Sequence, residues 1–136
     1  MVNKQFAMGL HIMTALACGS EELVSSEYLA NSLSTNPVVV RRILSKLSKA
    51  GLIETARGKN GGVRLKKTAH KITLADIYSA LTETTLINPN DKRPQKSCAV
   101  SCGMGNVMKK VIDGVEDATI KFLSAQKLSD CAQTIK

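Results

Sequence analysis

The sequence predicts a mainly α (α+β) fold, and three features predict it. Two short apolar-periodic stretches are parted by Asn36-Pro37, a glycine-tipped pair of strand-like runs follows, and a long apolar stripe extends from Met104 to about Leu123. Helix, turn, helix and hairpin in that order make a winged helix-turn-helix, and the stripe adds a long C-terminal helix that needs a partner surface. Charge points the same way. Between Asn36 and Lys71 lie ten of the nineteen Lys and Arg residues and one of the eleven Asp and Glu, so that segment carries +9 and the rest of the chain −1. A positive field focused on one stretch attracts a polyanion, and DNA is the first partner it suggests.

Each element has its own local signal. From about Asn3 to Ala17, Phe6, Leu10, Met13 and Leu16 recur at helical spacing, and Gly19 can end that helix. Ser25 is the expected N-cap of a second helix with Leu29, Ala30 and Leu33 on one face. Asn36 caps the third, Pro37 occupies its first turn at no hydrogen-bond cost, and Gly51 closes it. Along this third helix Val40, Ile43, Leu44 and Leu47 form the buried face, while Val38, Arg41, Arg42, Ser45, Lys46 and Lys49 lie mostly on other sides. Leu52–Ala56 and Val63–Lys66 read as strands around the tip Arg57-Gly-Lys-Asn-Gly-Gly62, with Gly61-Gly62 supplying a turn of positive φ. Thr73 and Asp76 make a capping box for a helix of about ten residues bearing Leu74, Ile77, Tyr78 and Leu81. Residues 85 to 103 keep no period and read as a loop. Val107, Met108, Val111, Ile112, Val115, Ala118 and Phe122 then give the last helix a wide apolar face, with Gly114 weakening its regularity.

Composition narrows the functions. The 136 residues suffice for one compact domain plus an appendage. No apolar run approaches the roughly 18 residues of a membrane span, and Met1–Phe6 lacks the apolar core of a signal peptide, so a cytoplasmic protein is expected. In that setting Cys18, Cys98, Cys102 and Cys131 are expected as reduced thiols, with Cys18 buried. Aromatics at 3% leave few rings to stack unpaired bases, which favours duplex DNA over single strands. Two distant histidines and no nucleophile or paired-carboxylate pattern argue against an enzyme.

With that order of elements, the chain closely resembles the Rrf2 family of bacterial winged-helix transcription regulators. The resemblance rests on Ile43-Leu-Ser-Lys-Leu47 with Lys49-Ala-Gly-Leu52, on Arg57-Gly58 followed by Gly61-Gly62 and Leu65, and on Ile72-Thr-Leu-Ala-Asp-Ile77. Asn36–Arg42 is most similar to the YwnA-like branch. The resemblance implies a homodimer that represses transcription by occupying a palindromic operator, its half-sites about 34 Å apart. The expected division is a DNA-binding domain over 1–84, a cysteine-bearing loop over 85–103, and a dimerisation helix and tail over 104–136.

Carried to matching positions, the recognition helix presents Asn36, Pro37, Val38, Arg41, Arg42, Ser45 and Lys46, and the wing Arg57, Gly58, Lys59, Asn60, Gly61 and Gly62. Arg41 and Arg42 are the expected base readers, since guanidinium bonds guanine O6 and N7 together, and Arg57 is the minor-groove candidate. Ser25, Ser26, Thr35, Lys46 and Lys59 are expected on phosphates. Cys98 and Cys102 fall where cluster-bearing relatives carry three cysteines, and Phe6–Leu10 offers no carboxylate or imidazole ligand, so no cofactor is expected and an iron-sulfur cluster is disfavoured. The alternative for this pair is a redox sensor working by disulfide formation or a thiolate beside Lys96, against inert thiols. An effector, if there is one, is not legible in the sequence. A winged-helix module that binds an acidic protein is the rival to DNA binding.

Overall fold

A computed structural model describes residues 4–19 and 22–135. Among the described residues, six helices and one two-stranded hairpin follow in the order α1 (Gln5–Cys18), α2 (Ser26–Leu33), α3 (Pro37–Lys49), β1 (Ile53–Ala56), β2 (Gly62–Leu65), α4 (Leu74–Leu81), α5 (Ala99–Ser124) and α6 (Leu128–Ile135). A single 3-10 turn, Ala69–Lys71, joins β2 to α4. Asn3, the expected start of the first helix, lies outside the described residues.

The expected caps form. Ser25 Oγ accepts from the Tyr28 N–H at 3.1 Å and Asn36 Oδ1 from the Val39 N–H at 3.1 Å. Thr73 and Asp76 exchange both capping-box bonds at 3.0 and 3.1 Å. Val40, Ile43, Leu44 and Leu47 are all buried, packed with Ile12, Met13, Leu29, Ile77 and Leu81 in one core. That face holds α3 against α1 and α4, and each buried Leu or Ile stabilises it by about 1.5–3 kcal/mol.

Strands β1 and β2 pair antiparallel with Ile53 opposite Leu65 and Ala56 opposite Gly62. Val24 extends the sheet from the other side: its N–H donates to Val63 O at 2.9 Å and its carbonyl accepts from Val63 N–H at 2.8 Å. This contact corrects the expected role of Gly61-Gly62. The positive φ of the wing sits at Gly58 (114°), whereas Gly62 is a strand residue whose missing Cβ would collide with the Val24 carbonyl. Gly62 is needed for close backbone approach rather than for a turn.

Further differences concern the C-terminal third and Cys18. Helix α4 ends at Leu81, giving eight residues rather than about ten. Helix α5 begins at Ala99 and not Met104, because Cys98 Sγ accepts from the Ser101 N–H at 3.4 Å and caps it; residues 99–103, expected in the loop, are helical. The helix runs unbroken through Gly114 for 26 residues, about 39 Å at 1.5 Å per residue. Helix α6, read from the sequence only as a tail, folds back on α1 and buries Leu128 and Ala132. Its entry is pinned by Leu74 N–H to Gln126 O and Leu128 N–H to Ile72 O, both 2.9 Å. Cys18, expected buried, is half-buried at this α1–α6 contact, its Sγ 3.8 Å from Ala132 O.

Candidate nucleic-acid interface

The outward side of α3 and the wing enclose one open cleft of about 640 Å³. It gathers Ser25 and Ser26 from the start of α2, Arg41 and Ser45 from α3, and Arg57, Gly58, Gly61 and Gly62 from the wing. Helical geometry explains the convergence. With Val40, Ile43, Leu44 and Leu47 turned into the core, Val38, Arg41, Arg42, Ser45 and Lys49 are left on the opposite face at i, i+3, i+4, i+7 and i+11. All five are exposed, Val38 to 59%.

Electrostatics leave this surface available to anions. Among the described residues, Arg42, Lys49, Arg57 and Lys59 form no ion pair. Arg41 has a long contact to Glu27, 3.8 Å between two exposed side chains, which is worth little in water and readily exchanged for a base edge or a phosphate. Arg64, by contrast, is held across the hairpin by Glu54 at 2.6 Å.

Other expected site residues take different places. Asn36 and Pro37 start α3, and Asn36 Oδ1 is occupied as the cap. Thr35 sits in the preceding turn, its N–H bonded to Ala30 O at 2.9 Å. Lys59 and Asn60 are exposed at the wing tip. Lys46 points elsewhere: its Nζ donates to Gln5 Oε1 at 2.7 Å and pairs with Glu83 at 3.3 Å, which ties α3 to α1 and to the end of α4. Ser48, Lys49 and Thr55 also line the cleft and were not among the expected contacts. The i+4 step from Ser45 to Lys49 was the available signal for the lysine; nothing local marks Ser48 or Thr55.

Cys98 and Cys102 are both exposed at the start of α5. Cys131 is half-buried against the core, and that burial, with Asp130 beside it, pushes its thiol above the usual range. At the α4–α5 contact, Tyr78 is buried, donates to Glu116 at 3.3 Å and meets Phe6 edge-on at 5.7 Å. Burial first, and then the Glu116 carboxylate, raise its phenol above the ordinary value of 10.0. Glu116 also accepts from the Leu86 N–H at 3.1 Å and so joins the loop to the core.

A capped recognition helix beside a cationic hairpin defines a winged helix-turn-helix DNA-binding protein. Comparison with known proteins takes this further. Residues 2–134 match the Rrf2 family, described as "Iron-dependent Transcriptional regulator", and the chain belongs to that family. It is a DNA-binding transcriptional regulator and not an enzyme. It is similar to YwnA of Bacillus subtilis strain 168, named as an HTH-type transcriptional regulator, at 32% identity over 130 residues and 96% of each chain. A transcriptional regulator from Lactobacillus plantarum shares its fold with a TM-score of 0.80 at 23% identity, covering 97% of this chain and 89% of the other. CymR, the global cysteine regulator of B. subtilis, shares the fold with a TM-score of 0.69 at 22% identity, covering 98% and 97%.

The family description raises iron, and the donor set can be tested against it. A cluster is held by four ligands, thiolates in the usual case. Among the described residues no three His, Cys, Asp or Glu side chains come together to hold a metal, and Cys18 and Cys131 belong to α1 and α6 rather than to the start of α5. The residues present do not fit an iron-sulfur cluster.

Proposed function

We propose that the protein is a cytoplasmic, homodimeric repressor that reads a palindromic operator through α3 and steadies itself with the wing. The observation that carries the reading is the shared cleft, which Arg41 and Ser45 of α3 line together with Arg57 of the wing. In this arrangement Arg41 and Arg42 read base edges, Val38 meets a thymine methyl, and Arg57 enters the adjacent minor groove. Ser25, Ser26, Thr35, Lys49 and Lys59 hold phosphates and set register without reading sequence. Lys46, with its ammonium engaged by Gln5 and Glu83, acts as a brace for α3.

Dimerisation is supported by α5, where Val107 is 52% and Val111 44% exposed and Leu123 is the buried residue. An apolar stripe of this length left in water favours pairing with its own copy, and a twofold axis would set two copies of α3 on half-sites about 34 Å apart. No helix among the described residues is long and apolar enough to cross a membrane.

Fluorescence anisotropy on a duplex taken from upstream of the protein's own coding region tests the reading against a random duplex at matched salt. Binding about a thousandfold tighter to the upstream duplex is expected, the low end of specific recognition. Equal affinity for both duplexes, together with capture of an acidic protein, would favour the protein-interaction module instead.

A further inference from the structure

We propose that the back of the wing holds a second anion site, which takes a small sugar phosphate. The site goes beyond the DNA-binding reading and does not depend on it. Of the ten Lys and Arg residues between Asn36 and Lys71, six belong to α3 and the wing tip, and Arg64, Lys66, Lys67 and Lys71 are left over. Strand geometry turns Arg64 away from the DNA cleft. In the hairpin Thr55 stands opposite Val63 and Glu54 opposite Arg64, and successive side chains of a strand point to opposite faces. Thr55 and Val63 line the cleft shared with α3, whereas Glu54 and Arg64 line a separate cleft of about 420 Å³. Lys66, Lys67 and Thr68 line this second cleft too, and Leu16 at the end of α1 gives it an apolar wall.

Charge selects the ligand's head group. Three cations line the cleft against Glu54, the one acidic residue between Asn36 and Lys71, so its side chains carry a net positive charge of two. A phosphate monoester matches that with close to two negative charges at neutral pH. Arg64 is already oriented: its Nε donates to Glu54 Oε1 at 2.6 Å, which fixes the guanidinium plane. Its two terminal nitrogens have no partner among the described residues and can grip a phosphate in bidentate fashion. Lys66 and Lys67 are exposed and form no ion pair among the described residues. The Thr68 hydroxyl, which makes no cap bond, is one more donor.

Shape and the lone carboxylate select the body. The volume falls within the roughly 300–1,000 Å³ of small-molecule sites, and a bare phosphate would leave most of it empty. Glu54 Oε2 has no partner among the described residues, so it accepts a hydrogen bond from a ligand hydroxyl. A phosphate joined to a polyhydroxylated carbon chain or ring satisfies the cations and the carboxylate together. A DNA backbone offers no hydroxyl to Glu54, and its convex surface would meet only the rim of the cleft.

The test is isothermal titration calorimetry of the full chain without DNA at low ionic strength. Glucose 6-phosphate and ribose 5-phosphate are the probes, and inorganic phosphate and glucose the controls. One sugar phosphate per chain is expected, bound about tenfold tighter than inorganic phosphate, with glucose giving no saturable heat. Arg64→Gln should weaken the sugar phosphate about tenfold and Lys67→Gln about threefold, both with unchanged circular dichroism. Glu54→Ala should erase the preference for sugar phosphate over inorganic phosphate, and Arg41→Gln, in the other cleft, should leave the binding unaltered. No saturable binding of either sugar phosphate, equal affinity for inorganic phosphate, or unchanged binding in Arg64→Gln or Lys67→Gln would each overturn the assignment. So would a loss of operator affinity in Lys67→Gln, which would give these cations to duplex phosphates instead.

Discussion

Helices α3 and α5 carry the same kind of apolar spacing and meet opposite fates. In α3 all four stripe residues, Val40, Ile43, Leu44 and Leu47, are buried by α1, α4 and their neighbours. In α5 the stripe is open at Val100, Met104, Val107 and Val111, and burial is reached only at Leu123, where the helix returns to the core. Periodicity states that a face needs cover and is silent on which chain supplies it. Where the cover is intramolecular the helix is scaffold and its far side is free for a ligand; where it is missing, the open apolar face is the one the proposed dimer would cover.

Charge and truncation on the two stripes should separate these roles most sharply. Leu47→Ala should cost about 2–5 kcal/mol, enough to leave a small domain largely unfolded in a denaturant melt. Val107→Asp should keep the helical circular dichroism, convert the dimer to monomer in sedimentation velocity, and weaken binding to a two-half-site duplex by about 100-fold. If Val107→Asp unfolds the chain as Leu47→Ala does, the stripe of α5 is core and the distinction fails.

Glycines sharpen the same contrast. Gly62→Ala should destabilise by about 1–3 kcal/mol and abolish hydrogen-exchange protection at Val24 and Val63, because its Cβ meets the Val24 backbone. Gly105→Ala, with open space around its Cβ on α5, should stabilise by about 0.5–1 kcal/mol in thermal melts. The two arginines of the wing provide a smaller test. Arg57→Ala should lower the slope of log affinity against log salt by about 0.9, whereas Arg64→Ala, already paired with Glu54, should leave it nearly unchanged. Equal losses would place both on the DNA.

The smallest effect is at high pH. Tyr78 holds its proton more tightly folded than unfolded, so its contribution is complete below 10.0 and is lost as pH rises through the raised folded value. Alkaline urea melts should show that decline in the wild type beyond what remains in Tyr78→Phe. Identical pH profiles would remove burial and Glu116 as the cause.

What could be read locally was read well where neighbours within four residues decide the outcome. Asn36 and Pro37 start α3, Ser25 caps α2, and Thr73 with Asp76 caps α4, because a side-chain oxygen reaches an N–H two or three residues on whatever the rest of the chain does. Helix α6 shows the limit. Leu128, Cys131 and Ala132 have helical spacing, yet a stretch of eight residues is marginal until α1 covers it. The true start of α5 was hidden for a related reason, since cysteine is an uncommon cap and Val100, Ser101, Cys102 and Gly103 are all weak helix formers.

By itself, the amino-acid sequence determined the order of elements from α1 to α5, the buried face of α3 and the focus of positive charge, all consequences of spacing and composition along the chain. Tertiary structure alone decided that Lys46 bonds a residue 41 positions away, that Gly62 lies against Val24, and that Arg41 and Arg57 border one cleft. Such pairings depend on how separate elements pack, and no short-range rule of hydrogen bonding or periodicity encodes a distance between residues that meet only once the core has closed.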